Sequence, residues 1–182
     1  MRALSLAEAL KIIEGTFAAA REHNCHALAA IVLDAGGRIK AFQKQDGASL
    51  MRFEIAYGKA FAALSLGRSS RMVLQKAKEK PLFVQSLERI ADGPLFLEAG
   101  GQLVRDGQGE IMGAIGVTGD VNEMDDICAI AGISSAGLRA DDHFGEKDQR
   151  RLNIKKNPTL KDPRKKVAER RQEGRRASRR RP

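Results

Sequence analysis

The chain has 182 residues, with 32 Lys and Arg against 23 Asp and Glu, and a formal net charge of +9. That charge is uneven, because residues 146–182 hold 16 basic and five acidic residues. Residues 1–145 therefore hold 16 basic and 18 acidic residues, a net charge of −2. About 145 residues is the usual size of one domain. We expect one slightly acidic domain, residues 1–145, followed by a basic tail, residues 146–182.

Cysteine usage and hydropathy indicate the compartment. Cys25 and Cys128 are too few for a disulfide scaffold and lack the CxxC spacing of metal sites, which favours a reducing environment. No apolar run approaches the roughly 20 residues of a membrane span. The N-terminal segment lacks the pattern of a cleaved signal peptide. The sequence therefore predicts a cytoplasmic protein without a membrane partner.

The first 67 residues predict a helix, a hairpin and a second helix. Ser5 and Glu8 form a capping box at the start of an amphipathic helix. Residues 29–33 and 38–42 read as strands, joined by a turn with two glycines at 36–37. Ser49 is the expected N-cap of the second helix, and Gly67 its stop. The apolar positions of that helix recur at helical spacing: Leu50, Phe53, Tyr57, Phe61 and Leu64.

The following segment predicts more helix, a second hairpin and a last helix. A short helix starts after Ser70, and Pro81 ends it while opening a turn or helix through Ile90. Strands at residues 102–105 and 110–117 flank a glycine-containing turn, and the last helix runs over about residues 122–138. Strands joined by tight turns are antiparallel, so the predicted class is α+β, with an antiparallel sheet of two hairpins flanked by helices.

The basic tail is not expected to extend this domain. It contains few large apolar residues, in no sustained period, and so buries too little surface to offset the entropy of ordering. We expect it to be disordered. Its clustered arginines could contact nucleic-acid phosphates, but no aromatic residue lies among them for base stacking.

Two groups of residues resemble ligand sites weakly. The glycines at 113, 116 and 119 match neither the dinucleotide fingerprint nor a phosphate loop, although Gly119 and Asp120 before a helix could offer backbone N–H groups to an anion. His23, Cys25 and His26 are of metal-ligating types, but they fall between the first helix and the first strand with no fourth ligand near. Structural or surface roles are expected there, and no metal site is predicted.

Lys59 is the stronger candidate. It lies in the second helix within a run, residues 55–63, that is otherwise without charge. Such a lysine either extends its ammonium group to solvent from a packed helix or is held near an anionic partner. Desolvation could also make it a base or a Schiff-base nucleophile.

Several segments together resemble one known family, and they occur in the family's order. They are IVLDAGG (31–37), KQDGA (44–48), IAYGKA (55–60), GG (100–101) and GEIMGAIGVTG (109–119), with Asp125 following. They are similar to the GlcG/HbpS family of haem-binding proteins, a haem-degrading domain family related to the C-terminal domain of PduO-type corrinoid adenosyltransferases. The resemblance covers about residues 3–140 and implies an antiparallel sheet between helices, a homo-oligomer, and haem binding or handling, with genes of this kind often accompanying small-acid catabolism.

On this resemblance the expected ligand is haem, a related tetrapyrrole or another small molecule. Binding haem requires an apolar cleft, a cation for the propionates and an axial ligand. The expected ligand-binding residues are Phe53, Tyr57, Phe61, Lys59, Gly100 and Gly101. No histidine of this chain falls on a family motif, so the axial ligand is unassigned.

The alternative is an enzyme, a lyase or isomerase acting on a small carboxylate. Lys59 would hold the anion, with Asp34, Asp46 or Asp125 as base. Asp34 and Asp46 also suit tight turns, because Asp before Gly caps them. A binding protein is favoured over an enzyme, and the candidates for catalysis are Lys59, Asp46 and Asp125.

Overall fold

A computed structural model describes residues 2–141. Five helices and four strands make up this part of the chain. In chain order they are α1 (Leu6–Glu22), β1 (Ala29–Asp34), β2 (Ile39–Lys44), α2 (Arg52–Leu66), α3 (Ser70–Glu79), α4 (Pro81–Ile90), β3 (Gly101–Arg105), β4 (Ile111–Thr118) and α5 (Asn122–Ser135). The basic tail and the predictions made for it lie outside the described residues.

The four strands form one sheet in the order β2-β1-β4-β3. β1 pairs with β2 and β3 with β4 as antiparallel hairpins, and β1 and β4 join the hairpins, also antiparallel. Gly37 at the first turn has φ 76° and Gly109 at the second has φ 89°, left-handed conformations that glycine adopts without strain. The predicted α+β class and the two hairpins are confirmed.

Helices cover both faces of the sheet. Ala30 and Val32 of β1 face a core shared with α1 and α5, whereas Ile31 and Leu33 face a second core shared with α2. This alternation follows from the two-residue period of a strand. It also explains the continuous apolar run of β1, because both of its faces are buried.

Small residues let α2 approach the sheet closely. Ala56, Ala60 and Ala63 lie against the second core. A Cβ atom added to Gly116 of β4 would meet the carbonyl oxygen of Ala56, and one added to Gly101 would meet that of Lys59. Backbone therefore packs on backbone there, which places the middle of α2 at the end of β4 where the candidate residues lie.

The predicted helix ends are partly right. In α1 the capping box is present, with Glu8 N donating to Ser5 Oγ at 3.2 Å and Ser5 N to Glu8 Oε2 at 2.9 Å. Gly67 ends α2 with φ 64°. Ser49 as the N-cap of α2 is wrong: α2 begins at Arg52 after Met51, and no side chain caps it.

The reason for the Ser49 error is a turn that precedes the helix. Arg52 N donates to the carbonyl oxygen of Ser49 at 3.4 Å, so residues 49–52 form a turn and Ser49 is too early to reach the helix N–H groups. Leu50, predicted as an inward position of the helix, lies in this turn and is 85 % exposed.

The last helix is shorter than predicted. α5 ends at Ser135, and Gly137 has φ 75° just beyond it. Leu138 N then donates to the carbonyl oxygen of Ile133 at 3.2 Å, a helix-ending pattern. Leu138 is still buried, so its apolar character reports on packing after the helix ends. Among residues 2–141, no helix has the length and apolar character needed to cross a membrane.

Candidate ligand site

Lys59 lies in the middle of α2 and is held by two oxygen atoms. Its Nζ donates to Asp125 Oδ2 at 2.7 Å and to the carbonyl oxygen of Val117 at 3.1 Å. The side chains of Lys59 and Asp125 are only 3 % and 1 % exposed. The ammonium group therefore does not extend to solvent. Of the two alternatives for Lys59, extension to solvent or pairing with an anionic partner, the structure shows the second. The partner is Asp125.

The pair joins the two helical layers of the fold. α2 packs on one face of the sheet and α5 on the other. Lys59 reaches Asp125 past the end of β4, where Val117 supplies its carbonyl oxygen. Asp125 lies in the first turn of α5, where a carboxylate also interacts favourably with the helix dipole. Through this contact a residue of each layer is fixed at the same end of the inner strand β4.

Gly100 and Gly101 complete the surroundings of the pair. Gly100 has φ 114°, and a Cβ atom there would lie 3.1 Å from Lys59 Nζ and 2.9 Å from Asp125 Cβ. A Cβ atom at Gly101 would meet the backbone carbonyl of Lys59. The structure thus brings together four of the predicted site residues, Lys59, Gly100, Gly101 and Asp125.

Burial sets the acidity of Asp125. Removal from water raises the pKa of this carboxyl to about 6, although the charge of Lys59 and its hydrogen bond act in the opposite direction. Asp125 Oδ1 also accepts from Asp120 N at 3.1 Å. At neutral pH the carboxylate is ionised and pairs with the ammonium group.

A second buried carboxylate, Asp126, lies beside the first and was not predicted. Its Oδ2 accepts from Arg71 Nε at 2.6 Å, and its Oδ1 accepts from Gly100 N and Gln102 Nε2, each at 2.8 Å. Burial raises the pKa of Asp126 from its ordinary value. The available sequence signal was the adjacent acidic pair 125–126 at the start of a helix.

The predicted aromatic residues Phe53, Tyr57 and Phe61 form a separate feature together with Phe42, which was not predicted as a site residue. We call these four residues the aromatic row. Ring centroids are 5.0 Å apart for Phe42 and Phe53, 6.2 Å for Phe53 and Tyr57, and 5.9 Å for Tyr57 and Phe61. All four residues are half-buried, so part of each residue is accessible to solvent. The row begins on β2 and continues along one side of α2.

The aromatic row and Lys59 do not converge. Tyr57 and Lys59 are two positions apart, which places them about 200° apart around a helix. The residues that lie against the sheet, Ala56, Ala60 and Ala63, separate the two sides. A ligand on the row is therefore not in reach of the ammonium group of Lys59.

The remaining candidates lie in loops or at the end of a strand. Asp34 Oδ1 accepts from Gly36 N at 2.9 Å and from Arg38 N at 3.0 Å, the turn role that was expected. Asp46 is exposed in the loop after β2. His26 N donates to Asp120 Oδ2 at 2.7 Å, so Asp120 fixes the start of β1.

Cys25 belongs to a contact that sequence reasoning missed. Its sulfur lies 4.0 Å from that of Cys128, so the two are in contact but too far apart for a disulfide bond. The hydrogen bond with the Cys25 thiol, together with burial, raises the pKa of Cys128. Within the part of the chain that the structure describes, no three His, Cys, Asp or Glu residues gather as a group able to hold a metal ion.

Chemically, the site has an occupied part and an accessible part. Lys59 and Asp125 neutralise one another away from water, and an anionic ligand would have to displace Asp125 to reach the lysine. The aromatic row offers apolar surface for stacking. Together with the sheet order, these features define a three-layer α+β protein with a buried ion pair at the end of the inner strand β4 and a row of aromatic residues along α2.

The comparison with protein families identifies the class. The family described as "Haem degrading protein HbpS-like" matches residues 4–134. The chain belongs to this HbpS-like family. No curated protein gives a significant match.

Solved structures agree with the fold. A double mutant of Streptomyces reticuli HbpS is 28% identical with TM-score 0.64, covering 74% of this chain and 87% of that one. The Klebsiella pneumoniae protein ORFY is 24% identical with TM-score 0.67, covering 75% and 92%. A complex of PduOC with haem is 20% identical with TM-score 0.68, covering 77% and 99%. The last two likenesses, below 25% identity, show the fold alone.

Proposed function

We propose that this protein binds haem or a related tetrapyrrole on the aromatic row, in a haem-handling role or one accessory to small-acid catabolism. The observation that carries the proposal is the row itself, in which neighbouring rings lie 5.0 to 6.2 Å apart and the four residues are only half-buried. A tetrapyrrole is a large, flat, apolar ring, and aromatic side chains stack on such surfaces. When bound, haem would supply iron redox chemistry; the protein supplies contact and orientation.

Two comparisons support the choice of ligand. The family is described as haem-degrading, and PduOC crystallised with haem. In the aromatic row, Tyr57 alone carries an oxygen atom, and a tyrosine phenolate is one of the known protein ligands of haem iron. We therefore assign Tyr57 as the axial ligand in this proposal, and Phe53 and Phe61 as stacking partners.

The buried residues have a supporting role in the proposal. Lys59 faces Asp125 and lies away from the row, so it is not assigned to the propionates. Gly100 and Gly101 leave space for the Lys59 side chain and its backbone, which fixes α2 on the sheet. In this proposal Gly100 and Gly101 do not contact the ligand, but they help to position α2, which carries three residues of the aromatic row.

The test is a titration with haemin followed in the Soret region. The wild type should give a saturable shift, and a variant with Phe53→Ala and Tyr57→Ala should lose it. Phe83→Ala is the matched control, because Phe83 is a half-exposed aromatic residue on α4, outside the row. A missing shift in the wild type, or equal shifts in all three proteins, would contradict the proposal.

The single variant Tyr57→Phe tests the ligand assignment. It keeps the ring of the row and removes the phenol oxygen. We expect saturable binding with a displaced Soret band, because stacking is retained while the iron changes its ligand. An unchanged spectrum would remove Tyr57 as ligand and leave the stacking surface in place.

The alternative function, a lyase or isomerase using Lys59, requires the ammonium group to leave Asp125. No contact of the described residues favours that exchange, and Asp34 Oδ1 already accepts from the N–H groups of its own turn. The buried pair therefore argues for a structural role of Lys59.

We also propose that the protein forms a homo-oligomer. Large apolar side chains are exposed, including Leu50 at 85 %, Leu82 at 77 % and Ile90 at 79 %. Such side chains gain free energy when another surface covers them. Multi-angle light scattering of the full chain should give a mass above 19.8 kDa, the mass of one chain. A monomer at micromolar concentration would contradict this.

The basic tail has a separate proposed role, contact with nucleic-acid phosphates. We propose that residues 1–145 form the domain and that binding, where it occurs, needs residues 146–182. A gel-shift assay at two salt concentrations should show binding that weakens with salt and is absent from a 1–145 protein. Retained binding by the shorter protein would contradict the assignment.

A further inference from the structure

A cavity of about 230 Å³ lies between α3, α4 and the C-terminal end of α2. Its apolar wall includes Leu66, Val73, Val84 and Leu87. Val73 and Val84 are buried, so this wall is part of the packed structure. Neither Lys59 nor Asp125 lines this cavity, so it is separate from the buried ion pair.

Two cations complete the lining, Arg68 and Lys76. Lys76 follows Val73 by three positions on α3, which places an ammonium group on the same face of the helix as the apolar wall. Arg68 follows Gly67, the left-handed residue that ends α2. No Asp or Glu lines this cavity, and within residues 2–141 neither cation forms an ion pair with a carboxylate.

We propose that this cavity binds a small amphipathic carboxylate, with its apolar chain against the wall and its carboxylate between Arg68 and Lys76. An apolar wall next to two cations complements a molecule that is apolar at one end and anionic at the other. The volume of about 230 Å³ is below the roughly 300 Å³ at which pockets for drug-sized ligands begin, so a short-chain molecule is favoured.

The site is distinct from the aromatic row. A second cavity of about 220 Å³ shares Leu66 and Leu87 with the first and is lined by Phe61 and Asp92. It lies on the side toward the row, and its carboxylate disfavours an anion there. The cavity lined by Arg68 and Lys76 therefore suits an anion better than this second cavity does, and none of its lining residues belongs to the aromatic row.

The experiment uses the full-length protein and octanoate as probe, followed by isothermal titration calorimetry. Octanoate should bind saturably, whereas octyltrimethylammonium, with the same chain and the opposite charge, should not. Acetate, which has the charge but almost no chain, should also fail. These three titrations of the wild type test the proposal without any substitution.

Variants then locate the site. Arg68→Gln with Lys76→Met should weaken octanoate binding by about tenfold or more, because a hydrogen-bonded charge pair contributes on that scale. Lys78→Met is the matched control, since Lys78 is an exposed lysine of the same helix outside the lining. Haemin titration of the double variant should match the wild type, which separates this site from the aromatic row.

Three results would overturn the proposal. They are no octanoate binding by the wild type, equal binding of octanoate and octyltrimethylammonium, and equal weakening by the double variant and by Lys78→Met. Loss of haemin binding together with octanoate binding would overturn the separation of the two sites. Thermal unfolding of each variant verifies that the fold is intact.

Discussion

The ammonium nitrogen of Lys59 lies 2.7 Å from Asp125 Oδ2, although the two residues are 66 positions apart in the chain. Neither group is accessible to water, so each neutralises a charge that would otherwise be buried alone. A buried ion pair contributes little net free energy, because its attraction mainly offsets the cost of removing both charges from water. Removing one partner, however, leaves the other charge buried with that cost uncompensated. The contact is therefore a stability determinant at the junction of α2, β4 and α5.

Replacement of Lys59 by Met should reduce the free energy of unfolding by about 3–5 kcal/mol, because Asp125 would stay buried without its ammonium partner. Urea denaturation at pH 7.5 measures the change. Lys11→Met is the control, since Lys11 is exposed on α1 and should change stability by less than about 0.5 kcal/mol. A loss below about 1 kcal/mol for Lys59→Met would contradict a structural role.

The combined variant Lys59→Met with Asp125→Asn separates the pair from each residue's other contacts. Its loss of stability should be smaller than the sum of the two single losses, since the second change removes the charge that the first leaves unpaired. Simple additivity within about 0.5 kcal/mol would mean that the two side chains are not energetically coupled.

Asp125 should also make stability depend on pH. Its pKa is about 6 in the folded chain against an ordinary 3.8, so the folded state binds the proton more tightly than the unfolded state. The contribution of this group to stability is then fully present below about 3.8 and is lost as pH rises through about 6. The difference in unfolding free energy between wild type and Asp125→Asn should fall over this window. A difference independent of pH between 4 and 7 would contradict the raised pKa.

Local sequence signals predicted the elements of this fold well. Glycines at turns located both hairpins, and the Ser5 and Glu8 capping box located the start of α1, because these devices act between residues a few positions apart. The prediction for Ser49 failed because a cap-forming residue type does not by itself fix where a helix begins. The backbone geometry decides that position. In this chain a turn over residues 49–52 decided it.

The sequence predicted some residues of the candidate site but not their arrangement. The family resemblance singled out Lys59, Gly100 and Asp125, and the structure brings them together. Their contact depends on how α2 and α5 pack on opposite faces of one sheet, which no local pattern reports. The separation of Tyr57 from Lys59 was available from helical spacing, since two positions correspond to about 200°. The contact between Asp126 and Arg71 was not predictable from local sequence, because tertiary packing brings these distant residues together.

Gly100 should not tolerate a side chain. It has φ 114°, and a Cβ atom would crowd Asp125 Cβ and Lys59 Nζ as well as the carbonyl oxygen of Val117. Backbone strain of this kind alone costs about 1–3 kcal/mol. Because Gly100→Ala adds the crowding to this strain, it should lower the free energy of unfolding by more than the strain alone. Gly107→Ala is the matched control, because nothing lies within 4 Å of its Cβ position. Equal stability of the two variants, measured by urea denaturation, would contradict the close packing.

Asp126 should be the second stability determinant of this region. Asp126→Ala removes the acceptor of three donors, Arg71 Nε, Gly100 N and Gln102 Nε2, and the last two are buried. Buried donors without an acceptor cost about 1–3 kcal/mol each, so the free energy of unfolding should fall by at least about 2 kcal/mol. Asp92→Ala, at an exposed carboxylate, should change it by less than about 0.5 kcal/mol. Because Gly100 also lies against the Lys59 pair, Asp126→Ala should reduce the coupling measured between Lys59 and Asp125; unchanged coupling would show that the two carboxylates act independently.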